Sequence, residues 1–462
     1  MLVVNESDAK SDPSHPPIDA WADRPRAELL RLAWPIAVST VSYAVMTLVD
    51  TLFVGRIGPA ALAGVGLGGV AAFTLLCFPM GLLRGTKVLV SQAIGAGQRD
   101  APRRHAAAGV FVALAFGAAG VGLSVGLAEL LPALTATPAS GAAARTYLRI
   151  RMVGAPAFLL YVALREARYG LGDSRSPMAA SIAANVVNVA LDALLIGVFE
   201  MGVAGAAWAS VAGHVAEAGV LVMRQREEGL VRPTRADLAE LLDVGVPTGV
   251  QFLLEVGSFS ILTAILSSLD EREMAAHQIA LQVAHFTFLP LVAVSEAASV
   301  LAGQAVGARR EALVGRVARE ALKTCFLYAA LCTVVLVGFG GPIADAFTDD
   351  APLRAIARNL LIVAALFQFL DAAQVVAHGV LRGAGDVRYA AKVAVAASWL
   401  AIPPLTWLLG VEAGLGALGG WIGICVELGV AGALLWRRFR SGAWQEVAAR
   451  RRARAEAAAI AA

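Results

Sequence analysis

Charged residues are scarce in this sequence of 462 amino acids. Asp, Glu, Lys and Arg make up 16% of it, whereas hydrophobic residues make up 58%. Soluble globular proteins contain about 25% charged residues. The composition therefore excludes an ordinary soluble protein and predicts an integral membrane protein. The net charge of +3 is also too small to indicate a nucleic-acid partner.

Residues and motifs that commonly carry enzyme chemistry are few or absent. The four cysteines lie in apolar runs without CxxC spacing, so they are interpreted as core residues and not as metal ligands or disulfides. The sequence contains no HExxH, no GxSxG and no glycine-rich phosphate loop. We therefore expect a protein that is not an enzyme and that uses no cofactor.

Long apolar runs, in contrast, fill most of the chain. A membrane-spanning helix needs about 20 mainly apolar residues, and the sequence supplies twelve such runs, separated by short polar or glycine- and proline-containing breaks. The spans are expected near residues 29–55, 60–95, 104–131, 142–166, 176–199, 203–224, 237–268, 272–306, 316–344, 353–381, 387–410 and 415–437.

The basic residues orient these runs in the membrane. With a cytoplasmic amino terminus, 29 of the 38 Lys and Arg residues fall on the inner side, as the positive-inside rule requires. Arg84 and Lys87, within the second run, are expected to snorkel toward the inner face. We expect a multi-pass protein of the plasma membrane, the inner membrane in a Gram-negative bacterium, with both termini cytoplasmic. The expected parts are a disordered tail (1–27), an N-terminal six-helix bundle (28–224), a cytoplasmic linker (225–236), a C-terminal six-helix bundle (237–440) and a cytoplasmic tail (441–462).

The two halves of the sequence are related by an internal duplication. A shift of 212 residues superposes Pro35 on Pro247 and the Gln-Ala-x-Gly-Ala motif at Gln92 on that at Gln304. A shift of 213 residues superposes the glycines and aspartate of YGLGD on those of RGAGD. Because each half has an even number of spans, the repeats are parallel. The predicted fold is an all-α integral membrane protein with twelve transmembrane helices in two parallel six-helix repeats around a central cavity.

An acid in the first span, Asp50, indicates a functional site, because a charge in hydrocarbon costs about 2.5 to 3.5 kcal/mol. The fifth span carries a polar stripe that includes Asn188 and Asp192 at helical spacing. At about 1.5 Å per residue, Asp50, Asp192 and Ser210 share one depth, with Asn188 a turn deeper. Such oxygens suit a hard cation such as Na⁺. Two crowded acids would alternatively carry a proton, and a purely structural role in helix association is a third interpretation.

A second polar group is expected in the C-terminal half. Glu255 in the seventh span and Asp371 in the tenth lie nearer the midplane, where anionic walls attract cationic ligands. None of the four acids Asp50, Asp192, Glu255 and Asp371 has an acidic counterpart in the other half, so duplication of the fold does not explain them. Glu217 and Glu427 have no predicted partner. The substrate cavity is expected to be lined by Tyr43, Gln251, Gln278, Gln282 and Gln374.

Several motifs together resemble the multidrug and toxic compound extrusion (MATE) family, in its NorM-like branch. They are VDTLFVGRIG after the first span, the two Gln-Ala-x-Gly-Ala motifs, LRGAGD after the tenth span and NVVNVALD in the fifth. The resemblance covers residues 28–440 and implies a cation-coupled antiporter, driven by Na⁺ or H⁺, that exports organic cations, drugs and other xenobiotics by alternating access. The cation-coupling residues that it implies are Asp50, Asn188, Asp192, Ser210, Glu255 and Asp371.

Among these residues, the resemblance implies that Asp50, Asn188 and Asp192 bind Na⁺ as a metal site. Ser210 stands where the family more usually has Thr, and Glu296 in the eighth span departs from the family pattern. The expected partners are amphiphilic or cationic small molecules and the lipid bilayer, without nucleic acid, and the protein is expected to be a monomer.

Two other kinds of membrane protein remain as alternatives. The first is a flippase or exporter of a lipid-linked or endogenous metabolite in the same superfamily. Such a protein is expected to have a cavity rich in Arg and Lys, whereas the predicted cavity is acidic and rich in Gln. The second is a channel, although a duplication with unpaired acids favours an occluding transporter over a continuous pore.

Overall fold

The computed structural model describes residues 18–461, and helices account for most of that part of the chain. The α-helices are α1 (Ile18–Ala22), α2 (Pro25–Ile57), α3 (Pro59–Gly95), α4 (Ala101–Leu130), α5 (Pro138–Val153), α6 (Ala155–Leu171), α7 (Arg175–Asp192), α8 (Gly202–Glu228), α9 (Arg235–Ser267), α10 (Glu271–Gly307), α11 (Glu311–Asp345), α12 (Ala351–Gly383), α13 (Val387–Leu405), α14 (Ala417–Arg440) and α15 (Ala443–Ala461).

The helices confirm the predicted all-α membrane fold. In residues 18–461, 11 helices are long and apolar enough to cross a membrane. Helices α5 and α6 supply a further span if they are taken together, with a bend of 50° between them at Gly154. The structure therefore has the twelve expected spans when this broken helix is counted as one.

The helix ends follow from local sequence signals. Proline opens α2, α3 and α5, where its missing N–H costs no hydrogen bond. Helix α9 opens with a capping box, in which Thr234 N donates to Asp237 Oδ2 over 2.8 Å and Asp237 N donates to Thr234 Oγ1 over 3.2 Å. Because α8 extends to Glu228, the connection between the halves is shorter than the predicted 225–236 and consists of residues 229–234.

Two helices end in π-helical turns at repeat-related positions. The turn Ala193–Val198 follows α7, and Thr406–Glu412 follows α13. The first of these begins immediately after Asp192. Such widened turns are rare and frequently occur at functional sites, so the local backbone supports a special role for this end of α7.

The predicted disorder of the amino-terminal tail is wrong for the residues that the structure describes. Residues 18–27 are not disordered, because they form α1 and the start of α2, with Trp21 only 2% exposed. The first 17 residues lie outside the described part of the chain. At the other end α15 packs onto the bundle through Trp444, and Arg451 and Arg452 form ion pairs with Asp243 and Glu311.

The two halves interlock at one end of the molecule. Leu29 and Leu32 of α2 share an apolar core with α10, α11 and α12, whereas Leu241 and Val244 of α9 pack into the core of α3 to α6. Small residues allow the closest crossing, since a Cβ added at Gly81 of α3 would lie 2.8 Å from the backbone of α9. The first spanning helix of each half, α2 or α9, therefore packs against the other half.

The repeated motifs explain how this end is held closed. Gln92 Nε2 donates to the Gly383 carbonyl over 2.9 Å, and Gln304 Nε2 donates to the Gly170 carbonyl over 3.5 Å. Each glutamine thus reaches the glycine turn of the opposite half. The glycine three residues after each glutamine packs against the backbone of the other glutamine. This end is the one that carries the basic loops expected on the inner side.

Candidate functional site

The four residues of the predicted N-terminal cation site meet in the structure. Asp50 lies on α2, Asn188 and Asp192 on α7, and Ser210 on α8. Ser210 Oγ donates to Asp50 Oδ2 over 3.2 Å, and the Asp50 carboxylate lies beside Asn188 and Asp192. Asn188 and Asp192 are 0% exposed. Three helices therefore place two carboxylates, an amide and a hydroxyl around one buried point.

Several polar atoms of this N-terminal acid site lack a hydrogen-bond partner among the described residues. They are both carboxylate oxygens of Asp192, both amide atoms of Asn188 and Oδ1 of Asp50. A buried polar atom without a partner costs about 1 to 3 kcal/mol, so such a cluster calls for an explanation. A small cation bound by oxygens, or a shared proton, would satisfy these atoms.

Arg151 beside this site was not predicted. Sequence position puts it at the outer end of the fourth span, and in the structure it lies on α5, directly before the 50° bend at Gly154. Its guanidinium acts electrostatically on Asp50 and Tyr43. The sequence signal that could have drawn attention to it is an arginine three residues before a glycine in an apolar run.

Glu217, which had no predicted partner, pairs with a histidine of its own helix. Its Oε1 lies 2.6 Å from His214 Nδ1, and both side chains are buried. The His214 ring also packs on Phe158, with ring centroids 4.7 Å apart. Glu217 therefore belongs to the interior of the N-terminal half.

The acids of the C-terminal half line a separate cavity of about 260 Å³. Glu255, Asp371 and Gln374 were predicted, and Glu427 of α14 joins them. Asp371 is 3% exposed, and its Oδ2 has no hydrogen-bond partner in the described chain. This C-terminal acid cavity thus gathers three carboxylates from α9, α12 and α14.

A larger central cavity of about 650 Å³ lies between the halves. Tyr43 and Gln282 line it, as predicted, together with aromatic side chains that include Phe158, Tyr161 and Phe286. The two cavities adjoin, because His285 lines both.

The remaining predicted cavity residues lie elsewhere. Gln374 is in the C-terminal acid cavity, and Gln251 is buried with its Nε2 donating to Glu255 Oε1 over 3.0 Å. Gln278 is exposed and lines neither cavity. The expectation of a single polar cavity is therefore wrong, because helical periodicity identifies a polar face but not the space that the face meets.

The predicted snorkelling of Lys87 is also wrong. Its side chain is 0% exposed, and its Nζ lies 3.3 Å from Glu166 and in contact with Glu296. Arg165 donates to Glu166 over 2.9 Å, and Arg382 donates to Glu296 over 2.8 Å. These ion pairs close one end of the central cavity, and the contact between Lys87 and Glu296 joins the two halves. Glu296, which departs from the family pattern, therefore has two cationic partners, Lys87 and Arg382.

Two repeated six-span halves, a cavity between them and buried acids in each half define a polytopic membrane transporter. Comparison with known families is consistent with this class. The family model described as MatE matches residues 35–194 and 247–408, once in each half, and the matches begin at the superposed pair Pro35 and Pro247. The chain belongs to the MatE family, a family of transporters, and the resemblance seen in the sequence is confirmed.

Curated relatives and solved structures agree with this assignment. The chain is 30% identical over 436 residues to "Probable multidrug resistance protein NorM" of Thermotoga maritima, covering 91% of this chain and 93% of the relative. It is 31% identical over 436 residues to the protein of that name from Bradyrhizobium diazoefficiens, covering 89% and 92%. An outward-facing multidrug resistance MATE family transporter has the same fold, with a TM-score of 0.85, 21% identity and coverage of 91% of this chain and 97% of that one. The eukaryotic MATE transporter AtDTX14 gives a TM-score of 0.85 at 18% identity, covering 94% and 99%.

Proposed function

We propose that this protein is a cation-coupled antiporter, driven by Na⁺ or H⁺, that exports drugs and other xenobiotics, organic cations among them, by alternating access. The observation that carries the proposal is the buried Asp192 carboxylate, which lies beside Asp50 with neither of its oxygens hydrogen-bonded in the described chain. The curated relatives named as multidrug resistance proteins support the direction and the kind of cargo.

The coupling ion acts on the N-terminal acid site. Two carboxylates that lie together in a low-dielectric interior repel each other, so a bound Na⁺ or proton stabilises the arrangement of Asp50 and Asp192. The ligands come from α2, α7 and α8. Binding therefore draws three helices together, and the π-helical turn after Asp192 lets the end of α7 adjust.

The central cavity opens alternately to the two sides of the membrane when the halves rock against each other. The end that is closed here is held by Gln92, Gln304 and the contact between Lys87 and Glu296. By the positive-inside rule this end is cytoplasmic, so the described state faces outward. Opening inward requires Lys87 and Glu296 to separate. The ion and the cargo are coupled if each prefers a different state.

The protein is proposed to act as a monomer in the plasma membrane, with both termini cytoplasmic and with residues 28–224 and 237–440 as the two moving bundles. A second candidate function, a flippase or exporter of a lipid-linked or endogenous metabolite, is favoured by one observation. Arg84 and Arg165 line the central cavity, whereas the sequence predicted an acidic one.

The decisive experiment is dye transport by the full-length protein in proteoliposomes with Na⁺ and pH gradients imposed separately. A cationic dye is expected to move against its own gradient when one of the two cation gradients is present, and not in protein-free liposomes. Dye movement that is independent of both gradients would contradict coupled antiport. Movement of a labelled lipid without any dye transport would instead favour the flippase.

A further inference from the structure

One cation at the closed end of the central cavity is left without an anionic partner. Arg84 of α3 lines this cavity. Within the described residues it makes no ion pair and no hydrogen bond, and its guanidinium instead lies 5.5 Å from the centre of the Phe252 ring. Glu166 and Glu255 act on it only from beyond ion-pair distance. The guanidinium donors of Arg84 therefore remain available to a ligand.

The neighbouring charged residues do not neutralise the positive charge of Arg84. They form the chain Arg165, Glu166, Lys87, Glu296 and Arg382, in which each carboxylate is already shared by two cations. Arg84 and these five residues form the charged floor: Arg84, Arg165, Glu166 and Glu296 line the cavity, and Lys87 and Arg382 lie buried behind them. With every carboxylate ionised, its four cations exceed its two anions, and counting Glu255 as well still leaves one positive charge in excess.

The internal repeat shows how this asymmetry arises. The 212-residue shift superposes Arg84 on Glu296, so the two halves carry opposite charges at equivalent positions. A simple pair between them would have been neutral. Lys87 and Arg382 bind Glu296 instead, and this leaves Arg84 free at the cavity wall.

We propose that the charged floor binds the carboxylate of an amphiphilic aromatic substrate, with Arg84 as its principal ligand. The proposal rests on the export function above and assigns a residue that would bind cargo carrying a carboxylate, alongside the cationic cargo expected at the C-terminal acid cavity. Arg donates two parallel hydrogen bonds to a carboxylate. Such a pair is strengthened where water is excluded, because the interaction is screened less.

The rest of the central cavity suits the apolar body of such a substrate. Its volume of about 650 Å³ accommodates a drug-sized molecule. The side chains of Tyr43, Phe158, Tyr161 and Phe286 line it and offer ring faces for stacking. Because His285 lines both cavities, the cationic end of a zwitterion bound at Arg84 would point toward the C-terminal acid cavity.

The test compares two dyes that differ by one methyl group and one negative charge, a rhodamine with a free carboxylic acid and its methyl ester. Binding to the purified full-length protein is measured by fluorescence anisotropy for the wild type and Arg84→Gln. We expect the Kd of the acid to rise about tenfold or more and that of the ester to change by less than about twofold. Arg56→Gln, which removes an exposed arginine near the end of α2, is the matched control and should change neither value.

A measurement on the wild type keeps the test valid if Arg84→Gln does not fold. Benzoate should displace the acid dye, whereas its neutral analogue benzamide should not. Equal effects of the substitution on both dyes, or equal displacement by benzoate and benzamide, would overturn the anion site. If both dyes bind as expected but neither moves under a Na⁺ or pH gradient, the anion site stands and the proposed antiport fails.

Discussion

The acid groups of the two halves differ in how they are enclosed. In the N-terminal acid site, Asn188 and Asp192 are fully buried and Ser210 contacts Asp50 directly. In the C-terminal acid cavity, Asp371 and Glu427 face a space of about 260 Å³. The first arrangement suits a dehydrated ion or a proton, and the second has room for water or for part of a ligand. One duplicated scaffold thus carries two different ion environments.

The shape of the fourth helix of each half contributes to this difference. In the N-terminal half it is bent by 50° at Gly154, and Arg151, just before the bend, acts electrostatically on Asp50. The equivalent helix α12 is continuous, and the 213-residue shift puts Ala364 at the position of Arg151. In the described chain, no Lys or Arg lines the C-terminal acid cavity. When its three acids are ionised, they produce a negative potential that no neighbouring cation in the lining offsets and that attracts cationic groups.

The largest expected effect is a loss of affinity for the coupling ion when an acid of the N-terminal acid site is replaced. Asp192→Asn should weaken binding of the coupling ion by about a hundredfold or more, because removing one charge from a buried cluster costs about 3 kcal/mol. Gradient-driven dye transport should fall to background. Ion affinity is measured on the purified protein, and dye transport is measured in proteoliposomes.

Two further variants make that result specific to the N-terminal acid site. Asp100→Asn replaces an exposed acid at the start of α4 and should behave like the wild type. Asp371→Asn should retain most of the ion affinity. If Asp371→Asn loses ion binding as completely as Asp192→Asn, the two sites do not differ in the way described.

A smaller effect is expected at the C-terminal acid cavity for cationic ligands. Asp371→Asn should weaken binding of a cationic dye about tenfold, since one of three acids that create the negative potential is lost. Glu427→Gln should act in the same direction. Binding of a neutral analogue of the dye is the control and should stay within about twofold. Equal losses for charged and neutral dyes would count against a ligand-attracting role.

The smallest effect concerns single neutral hydrogen bonds to the acids. Ser210→Ala removes the 3.2 Å contact with Asp50 and should lower ion affinity about fivefold, which corresponds to about 1 kcal/mol. Ser210→Thr keeps the hydroxyl and should match the wild type. Gln251→Ala removes the 3.0 Å contact with Glu255 in the other half and should leave ion affinity unchanged in the same titration. A change for Gln251→Ala as large as that for Ser210→Ala would show that the ion also depends on the C-terminal acids.

Sequence reasoning located the N-terminal acid site more completely than the cavities. Helical spacing and depth placed Asp50, Asp192 and Ser210 at one level with Asn188 a turn deeper, and packing of α2, α7 and α8 completed the site. The same reasoning misplaced Gln251 and Gln278. Periodicity defines the face of a helix on which a residue lies, but the neighbour of that face depends on helices distant in the chain.

The charges within the spans illustrate the same limit. Lys87 was expected to snorkel toward the inner face from the end of a long helix. In the structure it is buried between Glu166 and Glu296, from two other helices. Arg151 acts on Asp50 of another helix, and Glu427 lines a cavity with acids of two other helices. Each of these partners lies too far along the chain for local spacing to reveal it.

The amino-acid sequence by itself determined that this protein spans the membrane twelve times in two repeats, because hydrophobic length and duplicated motifs are local properties of the chain. It also determined which acids stand alone in hydrocarbon. Only the tertiary structure decided that the acids divide between the cluster on α2, α7 and α8 and the cavity lined by α9, α12 and α14, and that Arg84 forms no ion pair with any residue that the structure describes. The physical reason is that ion pairing and cavity shape depend on which helices meet, and these meetings are set by packing across the whole fold.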